Sequence, residues 1–168
     1  GGTANSGANL DQSANTLSIS VTSVNDAPAG TDATITTNED TVFTLSAGNF
    51  GFSDPIDAAS TAGANALAAV LITTLPGAGT LSNDGTAVTA GQFVTVGDIT
   101  GGKLVFTPVT DANGANYASF TFQVQDNGGT ANSGANLDQS ANTLSISVTS
   151  VNDAPAGTDA TITTNEDT

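Results

Sequence analysis

The chain repeats itself without a single change. Residues 1–41 recur as residues 128–168, each residue reappearing 127 positions later, Gly1 as Gly128 and Thr41 as Thr168. Folding does not require such identity, because cores tolerate many sequences of the same pattern and volume. It points to recent duplication in a tandem array. A period of 127 residues is an ordinary size for one domain with its own core. The 168-residue chain therefore reads as a window on a longer array, one full period and part of the next. Modules repeated in this way supply reach, valency or surface coverage, which argues against an enzyme.

Alternation of apolar and small polar residues dominates, the signature of half-buried strands. Leu17-Ser18-Ile19-Ser20-Val21-Thr22 shows it, as does its copy at 144–149. Phe120-Thr121-Phe122-Gln123-Val124-Gln125 shows it most strongly. Strands are predicted over 33–37, 41–46, 66–74, 103–107, 119–125 and 142–149, with a hairpin of 79–82 and 86–88 around Asn83-Asp84-Gly85. Thr95–Ile99 reads as one helical turn. Short strands separated by Gly, Asn, Asp and Pro turns predict an all-β sandwich of about seven strands. Pro28 and Pro155 follow identical Val-Asn-Asp-Ala segments and mark linkers, since proline ends a strand and stiffens a junction. Residues 27–153 are then a complete repeat. Residues 1–26 carry the last strand and linker of a preceding repeat, and 154–168 the first strand of a following one.

VNDAPA, TNEDT, FSDP, LVFTP, ANG, FTFQVQDNGG and LDQSANTLSISVTSVNDAP resemble, in order and over the whole period, the cadherin-like tandem repeats of large bacterial surface proteins and repeats-in-toxin-type adhesins. The resemblance implies an immunoglobulin- or cadherin-like Greek-key β-sandwich. It also implies a calcium-stiffened stalk in a giant secreted or cell-surface protein, of the kind that builds filaments and biofilms. The chain departs from such proteins at one point. It lacks the G-G-x-G-x-D nonapeptide of calcium β-rolls, which Gly128-Gly129-Thr130-Ala131 breaks.

Charge sharpens the functional reading. There are 16 Asp and Glu against one basic residue, Lys103, for a formal charge of −15. Such a chain excludes nucleic acid as a natural partner and favours cations. Its apolar runs fall short of the about 20 residues that cross a bilayer, so no membrane insertion is expected. Without Cys or His there are no disulfides, no thiolate sites and no usual general base or zinc ligand. Ser and Thr lack a base to activate them. Carboxylate pairs alone can serve glycoside hydrolysis, but there is no Trp and Tyr117 is the only Tyr, which leaves no aromatic sugar platform. Tyr117 is placed to cap the 119–125 strand, as sandwich tyrosines do.

Topology places the acids. If the chain enters a repeat at one pole and leaves at the other, the turn after 33–37 lies at the exit pole and carries Glu39 and Asp40. The loop after 41–46 returns to the entry pole with Asp54 and Asp57. Asp126 ends its strand at the entry pole, and Asp111 sits in the exit-pole loop. The linkers add Asn25-Asp26 and Asn152-Asp153. Each junction therefore gathers carboxylates that repel by about 1 kcal/mol per pair at ~4 Å in water, with no Arg or His to answer them. Oxygen-only ligands on flexible loops suit Ca²⁺ better than Mg²⁺. The expected metal ligands are Asn25, Asp26, Glu39, Asp40, Asp54, Asp57, Asp111, Asp126, Asn152 and Asp153. Asp11, Asp32, Asp84 and Asp98 read as turn formers, and Asp138, on a long Gly/Asn-rich loop, falls outside the set.

The expected role is a structural extender in an extracellular bacterial adhesin or fibre, with neighbouring repeats as partners. Two alternatives belong to other classes. One is a ligand- or glycan-binding adhesion domain. The other is a self-assembling filament in which 15–22 or 142–149 fills the equivalent strand position of another molecule.

Overall fold

The computed structural model describes residues 4–8 and 10–167; the outermost residues of the 1–26 and 154–168 segments lie outside that range. Nine strands form among the described residues: β1 (Ala33–Asn38), β2 (Phe43–Thr44), β3 (Leu67–Ile72), β4 (Thr80–Asn83), β5 (Thr86–Ala87), β6 (Gln92–Thr95), β7 (Leu104–Thr107), β8 (Gly114–Asp126) and β9 (Asn142–Thr149). Two short helices are α1 (Pro55–Ala58) and α2 (Val96–Thr100). The strands make two sheets, in the orders β1-β9-β8-β3-β6 and β2-β7-β4-β5. The chain is thus all-β in two sheets.

The alternation read from the sequence is what builds the core. Phe120, Phe122 and Val124 on β8 point inward with Leu144, Ile146 and Val148 on β9, Val70 and Ile72 on β3, and Leu104 and Phe106 on β7. Both sheets feed this one core. Phe50 meets the edge of Phe122, with ring centroids 5.0 Å apart, an aromatic geometry favoured by the ring quadrupoles. The Tyr117 hydroxyl accepts the Val109 N–H at 3.1 Å and so ties the start of β8 to the turn before it.

β1 runs parallel to β9, with Ile35 opposite Ile146, while β8 runs antiparallel to β9. The entry pole is therefore where β1, β3 and β9 begin and β8 ends. The exit pole is where β1 and β9 end and β8 begins.

Several strand expectations are corrected. The 41–46 strand shrinks to Phe43–Thr44, because Ala47–Phe50 turns into a 3-10 helix whose start is closed by Asn49 Oδ1 accepting the Ser46 N–H at 2.7 Å. β6 is an additional strand; Gln92-Phe93-Val94 was masked in the sequence by flanking Gly and Thr, and its pairing with β3 creates it. α2 begins one residue later than predicted, with Thr95 as its N-cap accepting from the Asp98 N–H. β8 starts at Gly114, well before residue 119, through an irregular register against β9. The copy of β9 at 15–22 forms no strand.

Candidate metal centres at the two poles

At the entry pole, Ser53-Asp54-Pro55 opens α1, with Asp54 preceding the helix and Pro55 in its first turn, where a proline's missing N–H costs nothing. That turn drives Asp54 and Asp57 inward. The end of β8 delivers Asp126 beside them. All three are buried, at 5%, 2% and 2% exposure, which is rare for carboxylates without a positive partner. Amide groups donate to each of them. Asp54 Oδ2 accepts the Asn65 N–H at 2.6 Å, and Asp57 Oδ2 accepts the Asp26 N–H at 2.9 Å and Asn65 Nδ2 at 3.2 Å. Asp126 Oδ1 accepts the Gly128 N–H at 2.8 Å and Asn25 Nδ2 at 3.2 Å. Asp54 Oδ1 is buried with no hydrogen-bond partner. Burial raises the Asp126 pKa above the ordinary carboxylate value, and the charges of Asp54 and Asp57 add to the effect.

At the exit pole, Glu39 is buried and already engaged. Its carboxylate accepts the Val151 N–H at 2.6 Å and Asn113 Nδ2 at 2.7 Å. It thereby pins the linker and the β7–β8 turn to the end of β1. Beyond it, Asp40, Asp111 and Asp153 are exposed and each offers an oxygen within 4.8 Å of the others. Asp40 and Asp111 both adopt positive φ, at 58° and 59°, a conformation that Asp tolerates in turns. The Asp111 N–H donates to Asp40 Oδ1 at 3.2 Å. Asp153 is held above the usual carboxylate range by partial desolvation and then by the charges of Asp111, Glu39 and Asp40. Asn152 stays outside this group; its side chain donates to the Asp153 carbonyl at 3.2 Å.

The single lysine serves neither pole. Lys103 Nζ lies 3.1 Å from Asp98 and 3.5 Å from Asp84. Comparison with protein-family models, curated proteins and solved structures finds no match. No helix among the described residues is long and apolar enough to cross a membrane.

The fold thus gathers Asn25, Asp26, Asp54, Asp57 and Asp126 at one end, and Glu39, Asp40, Asp111 and Asp153 at the other. Sequence reasoning missed Asn65, whose Ala-rich loop carries no local signal; only tertiary structure sets it between Asp54, Asp57 and Asn25. It also missed that Asp138 is buried, where it accepts the Gly30 N–H at 2.9 Å and Asn142 Nδ2 at 2.7 Å. With Oδ2 committed to these donors and Oδ1 accepting the Ser140 N–H at 3.0 Å, Asp138 ties the linker exit to β9.

Proposed function

We propose that the chain is an extender repeat of a secreted or cell-surface bacterial adhesin or fibre, locked to its neighbours by Ca²⁺. On this reading the two sheets are a cadherin-like Greek-key sandwich, as the motif resemblance implies. One observation carries the proposal: two acid-rich groups at opposite poles each meet a copy of one linker, at Asn25-Asp26 on one side and at Asp153 on the other. In a tandem array those groups are two halves of a single junction. One half supplies the buried, unpartnered Asp54 Oδ1 and the other the Asp40, Asp111 and Asp153 oxygens. Hard oxygen donors with no nearby ammonium or guanidinium fit a divalent cation of calcium's size. Asp54, Asp57 and Asp126 would hold it on the downstream side, with Asp40, Asp111 and Asp153 on the upstream side. Binding would replace mutual repulsion by attraction and remove hinge freedom from the linker.

Calcium titration calorimetry on this chain, followed by solution scattering on two and four linked repeats with calcium and with chelator, tests the proposal. Heat of binding, and a maximum dimension that shrinks on chelation, are expected. Unchanged dimensions and no heat defeat it.

Strand exchange ranks second. Leu17, Ile19 and Val21 are 85%, 79% and 90% exposed, whereas the same residues in β9, Leu144, Ile146 and Val148, are 0%, 0% and 3% exposed. Each chain, however, has two copies of the strand for one position beside β8, so exchange alone buries no additional surface. A dimer mass at micromolar concentration would promote it.

A further inference from the structure

The hexapeptide Ser-Val-Asn-Asp-Ala-Pro occurs at 23–28 and 150–155, and the two copies meet the domain between them differently. The first copy is docked through its own amide groups, onto backbone carbonyls and onto the carboxylates of Asp126 and Asp57. Asn25 Nδ2 donates to the Ala135 carbonyl at 2.6 Å, the Gly129 carbonyl at 3.1 Å and Asp126 Oδ1 at 3.2 Å. Asn25 Oδ1 accepts from Asn65 Nδ2, and its carbonyl accepts the Ala135 N–H at 2.9 Å. The Asp26 N–H reaches Asp57 at 2.9 Å, Pro28 is buried, and Ala29 and Ser53 exchange backbone bonds of 2.8 Å. Gly128 makes room for the Asn25 side chain, since a Cβ there would overlap Asn25 Oδ1.

The second copy is held by the Val151 N–H on Glu39. Its next charged residue, Asp153, meets Asp40 and Asp111, and residues 151–160 are exposed. On one side the Asn25 carboxamide and the Asp26 N–H are already paired with the domain that follows. The other ends in like charges.

We propose that the joint between repeats is asymmetric: the Asn25 carboxamide latches the linker to the repeat that follows it whether or not a cation is bound, whereas the attachment to the repeat before it needs the cation. Asn25 is then a positioning residue and not a ligand. The second half of this inference rests on the calcium role proposed above; the latch does not. In an array stripped of calcium, bending is located between the end of β9 and Asp153, and the segment from Asp26 to β1 moves with the domain that follows.

Backbone ¹⁵N relaxation and amide exchange on the full chain, with calcium and with chelator, test this. The amides of Asp26, Ala29, Gly30 and Ala135 are expected to stay ordered and protected in both conditions, while 151–156 become ordered only with calcium. Chelation that frees 25–30 as much as 151–156 overturns the latch. If calcium leaves 151–156 unchanged and gives no heat, the calcium role falls; protected amides at 25–30 would still uphold the latch. Asn25→Asp and Gly128→Ala separate latch from ligand. Both should mobilise 25–30 while leaving calcium affinity at the exit pole within about twofold, as distant sites act independently. Unchanged resonances of Phe120 and Ile146 verify that the variants still fold. Tighter calcium binding by Asn25→Asp with 25–30 still ordered would make Asn25 a ligand and sink the proposal.

Discussion

The same residues stand at the two ends of this chain in different company, and the comparison separates local from long-range causes. Ala4–Ser6 and Ala131–Ser133 both form a 3-10 turn, with Asn5 and Asn132 at φ 58° and 54°. Asp11 accepts the Ser13 N–H at 3.0 Å and Asn15 Nδ2 at 2.6 Å; Asp138 accepts the Ser140 N–H at 3.0 Å and Asn142 Nδ2 at 2.7 Å. Asp40 and its copy Asp167 both take positive φ, at 58° and 63°. Past these turns the copies diverge. Residues 142–149 are a buried strand and 15–22 are not; Ile35 lies in the core and its copy Ile162 is exposed. These bonds and turns, each spanning four residues or fewer, form in either setting. A strand forms only where another strand offers its ladder and its apolar face, because alternation alone buries nothing.

The sharpest way to break the comparison is to make one substitution in both copies. Leu144→Ala should cost about 2–5 kcal/mol by leaving a core cavity, whereas Leu17→Ala should stay within about 0.5 kcal/mol. Urea unfolding measures both, and similar losses would mean that 15–22 is packed in solution. A smaller contrast is expected for the turn acids. Asp138→Ala strands the Gly30 N–H and should cost about 1–3 kcal/mol. Asp11→Ala, at an exposed copy, should leave the unfolding midpoint unmoved.

A third test concerns Asp126, which the docked copy reaches through Asn25. Its folded pKa is raised, chiefly by burial. Between the ordinary value and the raised one, the folded chain keeps a proton that the unfolded chain has released. Without calcium, Asp126 therefore penalises stability fully above that window, and the penalty is relieved as pH falls through it. Asp126→Asn should flatten this part of the melting-temperature profile, and calcium should shift the profile toward favouring the ionised form. A profile identical in wild type and variant would remove Asp126 from the account. The smallest effect is local. Asp11 should titrate below its ordinary value because the Ser13 N–H and then Asn15 stabilise its charge. Asn15→Ala should move the Asp11 midpoint, followed by NMR, back upward.

Much of the architecture was readable because period-2 alternation is a direct record of burial. The strand at 120–125 and the copy at 142–149 were legible for that reason, and the hairpin around Asn83-Asp84-Gly85 was legible from its turn residues. β6 and the loss of most of 41–46 were not, since short strands depend on which neighbour supplies hydrogen bonds. Reasoning from the order of strands placed the acids at opposite poles. It did not separate Asp54, Asp57 and Asp126, which are buried among amides, from Asp40, Asp111 and Asp153, which are exposed. Burial of a carboxylate depends on donors brought from distant loops, and Asn65 and Asn25 left no mark on the local pattern around Asp54 or Asp126.

By itself the sequence determined the duplication, the unopposed negative charge, the turn conformations and the inward-facing side of each long strand, because these depend on residue type and on neighbours a few positions away. Tertiary structure alone decided that two identical linkers are held differently, one docked through Asn25 and the other pinned through Glu39. Those outcomes rest on contacts between residues more than a hundred positions apart, such as Asn25 with Asp126 and Glu39 with Val151, and identical letters cannot encode the presence of a partner.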